Sequence, residues 1–247
     1  MYRAAGCSSV GLVRTGNEDS AYVGRQLCAV ADGLGGHVAG EIASATVIET
    51  LMSCDNKVAA TDLVETMSAA VSAANAELLR RIGEKPELAG MGTTLTAMLW
   101  SGTTAVLAHI GDSRAYLLRQ DRLRQITEDH SLGKLVADVA VSARPPSVMV
   151  RYLDGQAERS PDLALREVCP GDRYLLCSDG LSDVVTAESM YAVLVSVEDT
   201  RPAVRRLVGL AHEGGAPDNI TVVLVDVREF GADVVRAKPL LLGAAAG

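Results

Sequence analysis

The sequence predicts an α+β protein built on antiparallel β-structure, and three observations carry this. Residues 38–52 and 62–82 repeat apolar side chains at helical spacing, so two amphipathic helices are expected early. From Gly92 the texture changes to short β-branched and aliphatic runs separated by two or three turn residues, the pattern of an antiparallel meander. Finally, an apolar run closed by an aspartate and small residues occurs at Asp32, Asp112 and Asp179, and Asp218 stands directly ahead of another such run.

Taken in order, Tyr2 to Val10 predicts a short strand, followed by a polar turn that carries Arg14, Gly16, Asn17, Glu18 and Asp19. Leu27 to Ala31 reads as a buried strand that presents Asp32 at its mouth. The glycines at 33, 35 and 36 permit close backbone approach, which lets the carbonyl beside Asp32 turn toward a bound ion. Ile42, Val47, Ile48, Leu51 and Met52 then mark the first helix. Asp62 with Glu65 reads as a capping pair for the second, whose wet side carries Glu77, Arg80 and Arg81.

Four runs of the meander follow: GTTLTAML, TTAVLAHIGDS, RAYLLR and RLRQIT. Glu128 to Pro146 is less regular and is expected to be a partly helical excursion. Strands are expected again at 147–153, 162–168 and 173–177, helices at 187–197 and 201–213, and a last strand after Asn219. The apolar, small residues 239–247 read as a loose tail.

Composition narrows the function. With 48% hydrophobic residues the 247-residue chain has ample material for a sizeable core, but only 3% aromatics, so Ala, Val, Leu and Ile must fill it. The 31 acidic residues outnumber the 23 basic ones, for a net charge of −8, which argues against a nucleic-acid binder. Five cysteines without CxxC spacing and four scattered histidines form no zinc pattern, and the thiols are expected reduced in a cytoplasmic protein. Neither a signal peptide nor a membrane span is expected.

Any one acid at a strand mouth is ordinary turn chemistry. Four of them, with Glu18 and Asp19 on an early turn, would repel unless cations neutralised them. A ligand set of oxygens alone favours Mg²⁺ or Mn²⁺. Two dications about 4 Å apart repel by roughly 17 kcal/mol at an effective dielectric near 20, so several carboxylates must surround them. The carboxylate of Asp32 and the carbonyl of Gly33 suit bridging. Such a pair of ions would orient water for in-line attack on phosphorus, and Arg14, forked and always charged, suits a phosphate. GLGGHV lacks GxGxxG spacing, no GK[ST] loop occurs, and no cysteine has an arginine six residues on.

The ordered set RTGNED, ADGLGGHVAGE, GMGTTLTA, HIGDSR, CSDGLSD and PDNITVV resembles the metal-dependent protein phosphatases (PPM, type 2C), bacterial branch, from about Tyr2 to Val227. The resemblance implies an αββα sandwich: two antiparallel sheets flanked by helix pairs, with metals at one end. A catalytic domain over 1–230 and a tail over 231–247 follow from its extent. It also implies hydrolysis of phosphoserine and phosphothreonine on proteins, in signalling that opposes Ser/Thr kinases. Asp32 and Gly33 would then bridge two core Mn²⁺ or Mg²⁺ ions, completed by Asp179 and Asp218. Glu18 and Asp19 would act directly or through water, Arg14 would hold the phosphate, and Asp112 with Asp179 would hold a weaker third ion.

Two features depart from the family. Leu34 stands where some members carry a histidine thought to act as general acid, and His37 lies three residues further on. The excursion after DHS is shorter than the usual bacterial flap, which bears on substrate choice. The competing expectations are a phosphatase-like binding or sensor module, or an esterase for small phosphate esters.

Overall fold

The structure is a computed structural model that describes residues 2–35, 38–131, 149–157, 159–228 and 238–246. Strands β1 (Tyr2–Ser9), β2 (Asp19–Val23) and β3 (Leu27–Leu34) precede helices α1 (Val38–Leu51) and α2 (Leu63–Glu84). Then come β4 (Gly92–Thr93), β5 (Leu95–Ser101), β6 (Thr104–Ile110), β7 (Arg114–Arg119), β8 (Arg122–Gln125), β9 (Asp162–Glu167) and β10 (Arg173–Cys177). Helices α3 (Asp179–Ser182), α4 (Ala187–Ser196) and α5 (Thr200–Glu213) lead to β11 (Ile220–Val227) and β12 (Leu240–Gly243).

The strands form two antiparallel sheets. One has five strands in the order β1-β11-β10-β7-β8; the other runs β12-β2-β3-β5-β6-β9, with β4 paired to β3. Three apolar layers hold the sandwich together. Between the sheets lie Val30, Met98, Leu107, Leu176, Val223 and Val225. Val47, Ile48, Met67 and Leu78 seat α1 and α2 on the larger sheet, while Met190, Leu194, Val204 and Leu207 seat α4 and α5 on the smaller. Strand β11 shows why its sequence is an unbroken apolar run: Val222 and Leu224 face the helices, Val223 and Val225 the other sheet. The αββα expectation therefore holds.

Several local expectations change. The meander does not stay in one sheet: β5 and β6 pair in the larger, and the chain crosses at Gly111–Ser113 to build β7 and β8 into the smaller. Of the strand expected at 147–153, the described residues 149–153 form none; Met149 and Leu153 make isolated bridges to Ser131 and Thr93. Asp62 is the N-cap of α2 but makes no side-chain capping bond; its carboxylate accepts from Thr61 Oγ1 at 2.7 Å. Glu77 does brace Arg80 and Arg81, at 2.6 and 3.1 Å.

The tail expectation is corrected. Leu240–Gly243 pairs in register with β2, Leu241 packs on the helix-side core, and the sheet crosses the boundary expected at 230. All five cysteines are free thiols. Most of the excursion after Glu128, and His37, fall outside the described residues.

Candidate metal centre

Antiparallel pairing brings the acids to one end of the sandwich. Asp19 opens β2 and lies in register with Asp32, near the end of β3. Asp112 sits on the crossover between β6 and β7, Asp179 follows the end of β10, and Asp218 precedes β11, the antiparallel neighbour of β10. Asp19 and Asp112 are buried; Asp32, Asp179 and Asp218 are half-buried.

Backbone contacts fix these turns. Asp32 N donates to Thr94 Oγ1 at 2.9 Å, and its carbonyl accepts from Thr94 N and from Thr93 Oγ1. Thr94 Oγ1 also bonds Ser113 Oγ at 2.8 Å, so one threonine ties the Asp32 mouth to the Asp112 turn. Gly111, at φ +117, makes that turn directly against Thr94. A Cβ on Gly33 would lie 2.2 Å from the carbonyl oxygen of Gly40, so only glycine lets α1 approach so closely.

Asn219 organises the other side. Its Oδ1 accepts from Glu18 N at 2.8 Å, and its Nδ2 donates to the carbonyls of Val10 and Gly16 at 2.8 and 2.9 Å. Asp218 Oδ1 accepts from Asn219 N. Ser178, at the N-cap position of α3, donates to Asp19 Oδ2 at 2.8 Å. Arg14 Nη2 pairs with Asp218 Oδ2 at 2.7 Å. This pairing joins two groups that the sequence assigns to different ligands, phosphate and metal.

The electrostatics report a site short of positive charge. Asp32 is held well above the usual carboxylate range by desolvation, then by Asp19, Asp179, Asp112 and Asp218. Desolvation, followed by the charges of Asp112, Asp218, Asp19 and Asp183, lifts Asp179 to about 7. Burial likewise raises Asp19 and Asp112 to about 6. Arg14 is pushed up by its hydrogen bond to Asp218, with Glu18 and Asp32 adding to the effect.

The donor set suits hard divalent cations. Asp19 Oδ1 and Asp112 Oδ1 are buried without a hydrogen-bond partner, which leaves each an open lone pair for an ion. Among the described residues no three acidic, histidine or cysteine side chains already close into a ligand cluster.

Every acid that the sequence assigns to the ions thus lies at this end, with Arg14 among them. The sequence reading gave no role to Thr94, Ser178, Asn219 or Asp183. Asn219 had a signal, standing between Asp218 and a β-branched strand; the partners of the others are set only by the fold.

Fold and site together define a member of a known phosphatase family. Residues 15–219 match the protein phosphatase 2C family model, and the chain belongs to that family. Over its whole length it is 45% identical to the serine/threonine protein phosphatase PstP of Mycobacterium tuberculosis, and it spans about half, 49%, of that relative. It is 32% identical to the serine/threonine phosphatase stp of Listeria innocua, over 87% of this chain and 92% of the relative. The crystal structure of the PstP catalytic domain in complex with two manganese ions matches with a TM-score of 0.86 and 45% identity, covering 92% of this chain and 99% of that one. Staphylococcus aureus Stp1 matches with a TM-score of 0.85 and 30% identity, over 93% and 96% of the two chains.

Proposed function

We propose that this chain hydrolyses phosphoserine and phosphothreonine on proteins with two Mn²⁺ or Mg²⁺ ions, acting against Ser/Thr kinases in bacterial signalling. The observation that carries the reading is the set of mutually repelling carboxylates at one end of the sandwich, with Arg14 beside them. The relatives' names and the two manganese ions of the PstP catalytic domain support it.

Asp32, the Gly33 carbonyl, Asp179 and Asp218 would hold the two core ions, with Glu18 and Asp19 assisting directly or through water. Asp112 with Asp179 would hold a weaker third. When bound, the ions supply the charge that lets these acids ionise together and acidify water for attack on phosphorus. Arg14 orients the phosphate through a bidentate grip. Its pair with Asp218 engages Nη2 alone, and ion capture by Asp218 would free that donor for the phosphate. Ser178 and Asn219 keep Asp19 and Glu18 in place. A cytoplasmic location belongs to the same proposal; among the described residues no helix is long and apolar enough to cross a membrane.

The test is a phosphopeptide panel with Mn²⁺ or Mg²⁺, with and without chelator. Metal-dependent release from phosphothreonine and phosphoserine is expected. Metal-independent turnover, or none, overturns the proposal, and hydrolysis of small esters alone would make the chain a small-molecule esterase.

A further inference from the structure

Away from the acids, the open side of the sandwich holds a cleft of about 870 Å³. It lies between β1 and α5 on one side and the β2–β3 turn and the segment after α1 on the other. Gln26 in that turn lines the cleft, six residues before Asp32 along β3, and the rise of an extended strand separates the two by about 20 Å.

The charge here runs against that of the whole chain. Arg3, Arg25, Lys57, Arg201, Arg205 and Lys238 line the cleft of a protein whose net charge is −8. Arg3 pairs with Asp199 at 2.5 Å; among the described residues the other five form no ion pair. The one acid in the described lining, Asp55, is already saturated. Its oxygens accept from the backbone N–H groups of Arg25, Gln26 and Leu27 and from the Tyr22 hydroxyl.

The lining is also apolar, with Val23, Val204 and Leu242 beside Trp100. Trp100 is 1% exposed, and its Nε1–H is buried without an acceptor.

We propose that this cleft binds a soluble organic phosphate, with the phosphate among the arginines and lysines and the apolar body against the hydrophobic lining. Guanidinium forks match the several oxygens of a phosphate. A volume of this size suits a small organic ligand, and a lining of mixed character favours an amphipathic anion over a bare one. The inference does not depend on the acid-rich end being catalytic.

Trp100 is the only tryptophan of the chain, so its emission reports on this cleft. The experiment titrates the protein, in chelator, with hexyl phosphate, hexanol and inorganic phosphate. Hexyl phosphate is expected to give a saturable change, with hexanol and inorganic phosphate at least tenfold weaker. An Arg201→Ala/Arg205→Ala double variant, altered on the exposed face of α5 and checked for folding by circular dichroism, should weaken the binding at least tenfold. Arg14→Ala should leave it unchanged. The proposal is overturned by the absence of a saturable change, by equal binding in the double variant, or by loss of binding in Arg14→Ala. Inorganic phosphate binding as tightly as hexyl phosphate would overturn the organic ligand.

Discussion

Replacing Asp179 with asparagine should stabilise the metal-free protein, although it damages the proposed centre. Asp179 is lifted from 3.8 to about 7 by desolvation and by Asp112, Asp218, Asp19 and Asp183. A carboxyl whose folded pKa is raised binds more protons folded than unfolded, so stability is lost as pH climbs from about 4 to 7. At 1.36 kcal/mol per tenfold change, the cost relative to a neutral side chain is about 1.5 kcal/mol at pH 5 and about 4 at pH 8. Neighbouring acids share the protons, so roughly half of this is expected in practice. Asparagine also gives up an acid in the first turn of α3, worth about 0.3–1 kcal/mol, which is too little to reverse the sign at pH 8.

The assay is thermal unfolding in chelator at pH 5 and pH 8, then with Mn²⁺. For a chain of this size 1 kcal/mol moves Tm by about 2–4 °C, so a net gain of 1–2 kcal/mol at pH 8 means Asp179→Asn melts about 2–8 °C above wild type. The gap should shrink at pH 5, and Mn²⁺ should raise wild type more than the variant. A variant less stable than wild type in chelator at pH 8, or a wild-type Tm that rises from pH 5 to pH 8, would refute the electrostatic reasoning.

Three further variants separate the roles in the site. Arg14→Ala should lower kcat/KM about 10- to 100-fold, the loss of one charge-assisted contact, while Mn²⁺ binding by calorimetry is retained. Its exposed pair with Asp218 contributes at most about 1 kcal/mol to stability, so failure to bind Mn²⁺ would make Arg14 structural. Asn219→Ala removes three hydrogen bonds to the 10–18 loop and should cost about 2–4 kcal/mol, read as a lower Tm in chelator; an unchanged Tm would deny Asn219 its organising role. Asp112→Ala should keep two tight ions yet lose at least about tenfold in turnover, whereas Asp32→Ala should lose both ions and activity; wild-type turnover in Asp112→Ala would leave it a turn residue.

What the sequence revealed depended on how local each signal was. Asp32 was legible because five apolar residues and a following glycine define a strand mouth on their own. The meander strands were legible for the same reason, but not their division between sheets. Whether RAYLLR pairs with the strand before it or with RYLLC about sixty residues later is decided by packing, and β7 chose β10. Residues 240–243 were misread because LLLG is too short to show a period; its strand character comes from β2, more than two hundred residues away. Asn219 and Glu18 are likewise 201 positions apart, so their contact has no trace in spacing.

Arg14 and Asp218 lie 204 positions apart and are likewise brought together by the fold, at the acid-rich end. Six acids, Glu18 with Asp19, Asp32, Asp112, Asp179 and Asp218, converge there, and the three apolar layers hold the strands that carry them whether or not the charge is balanced. Protons raise four of the carboxyls toward neutrality. Arg14 supplies the remaining compensation through a side chain on a turn, which can swing away at little cost because the pair is half exposed. Ions arriving at the acids would displace both substitutes together: the protons leave, and Arg14 is freed for an anion. The proposed site would therefore become a better phosphate receptor once it has become a metal centre, and the residue that makes this coupling possible is Arg14.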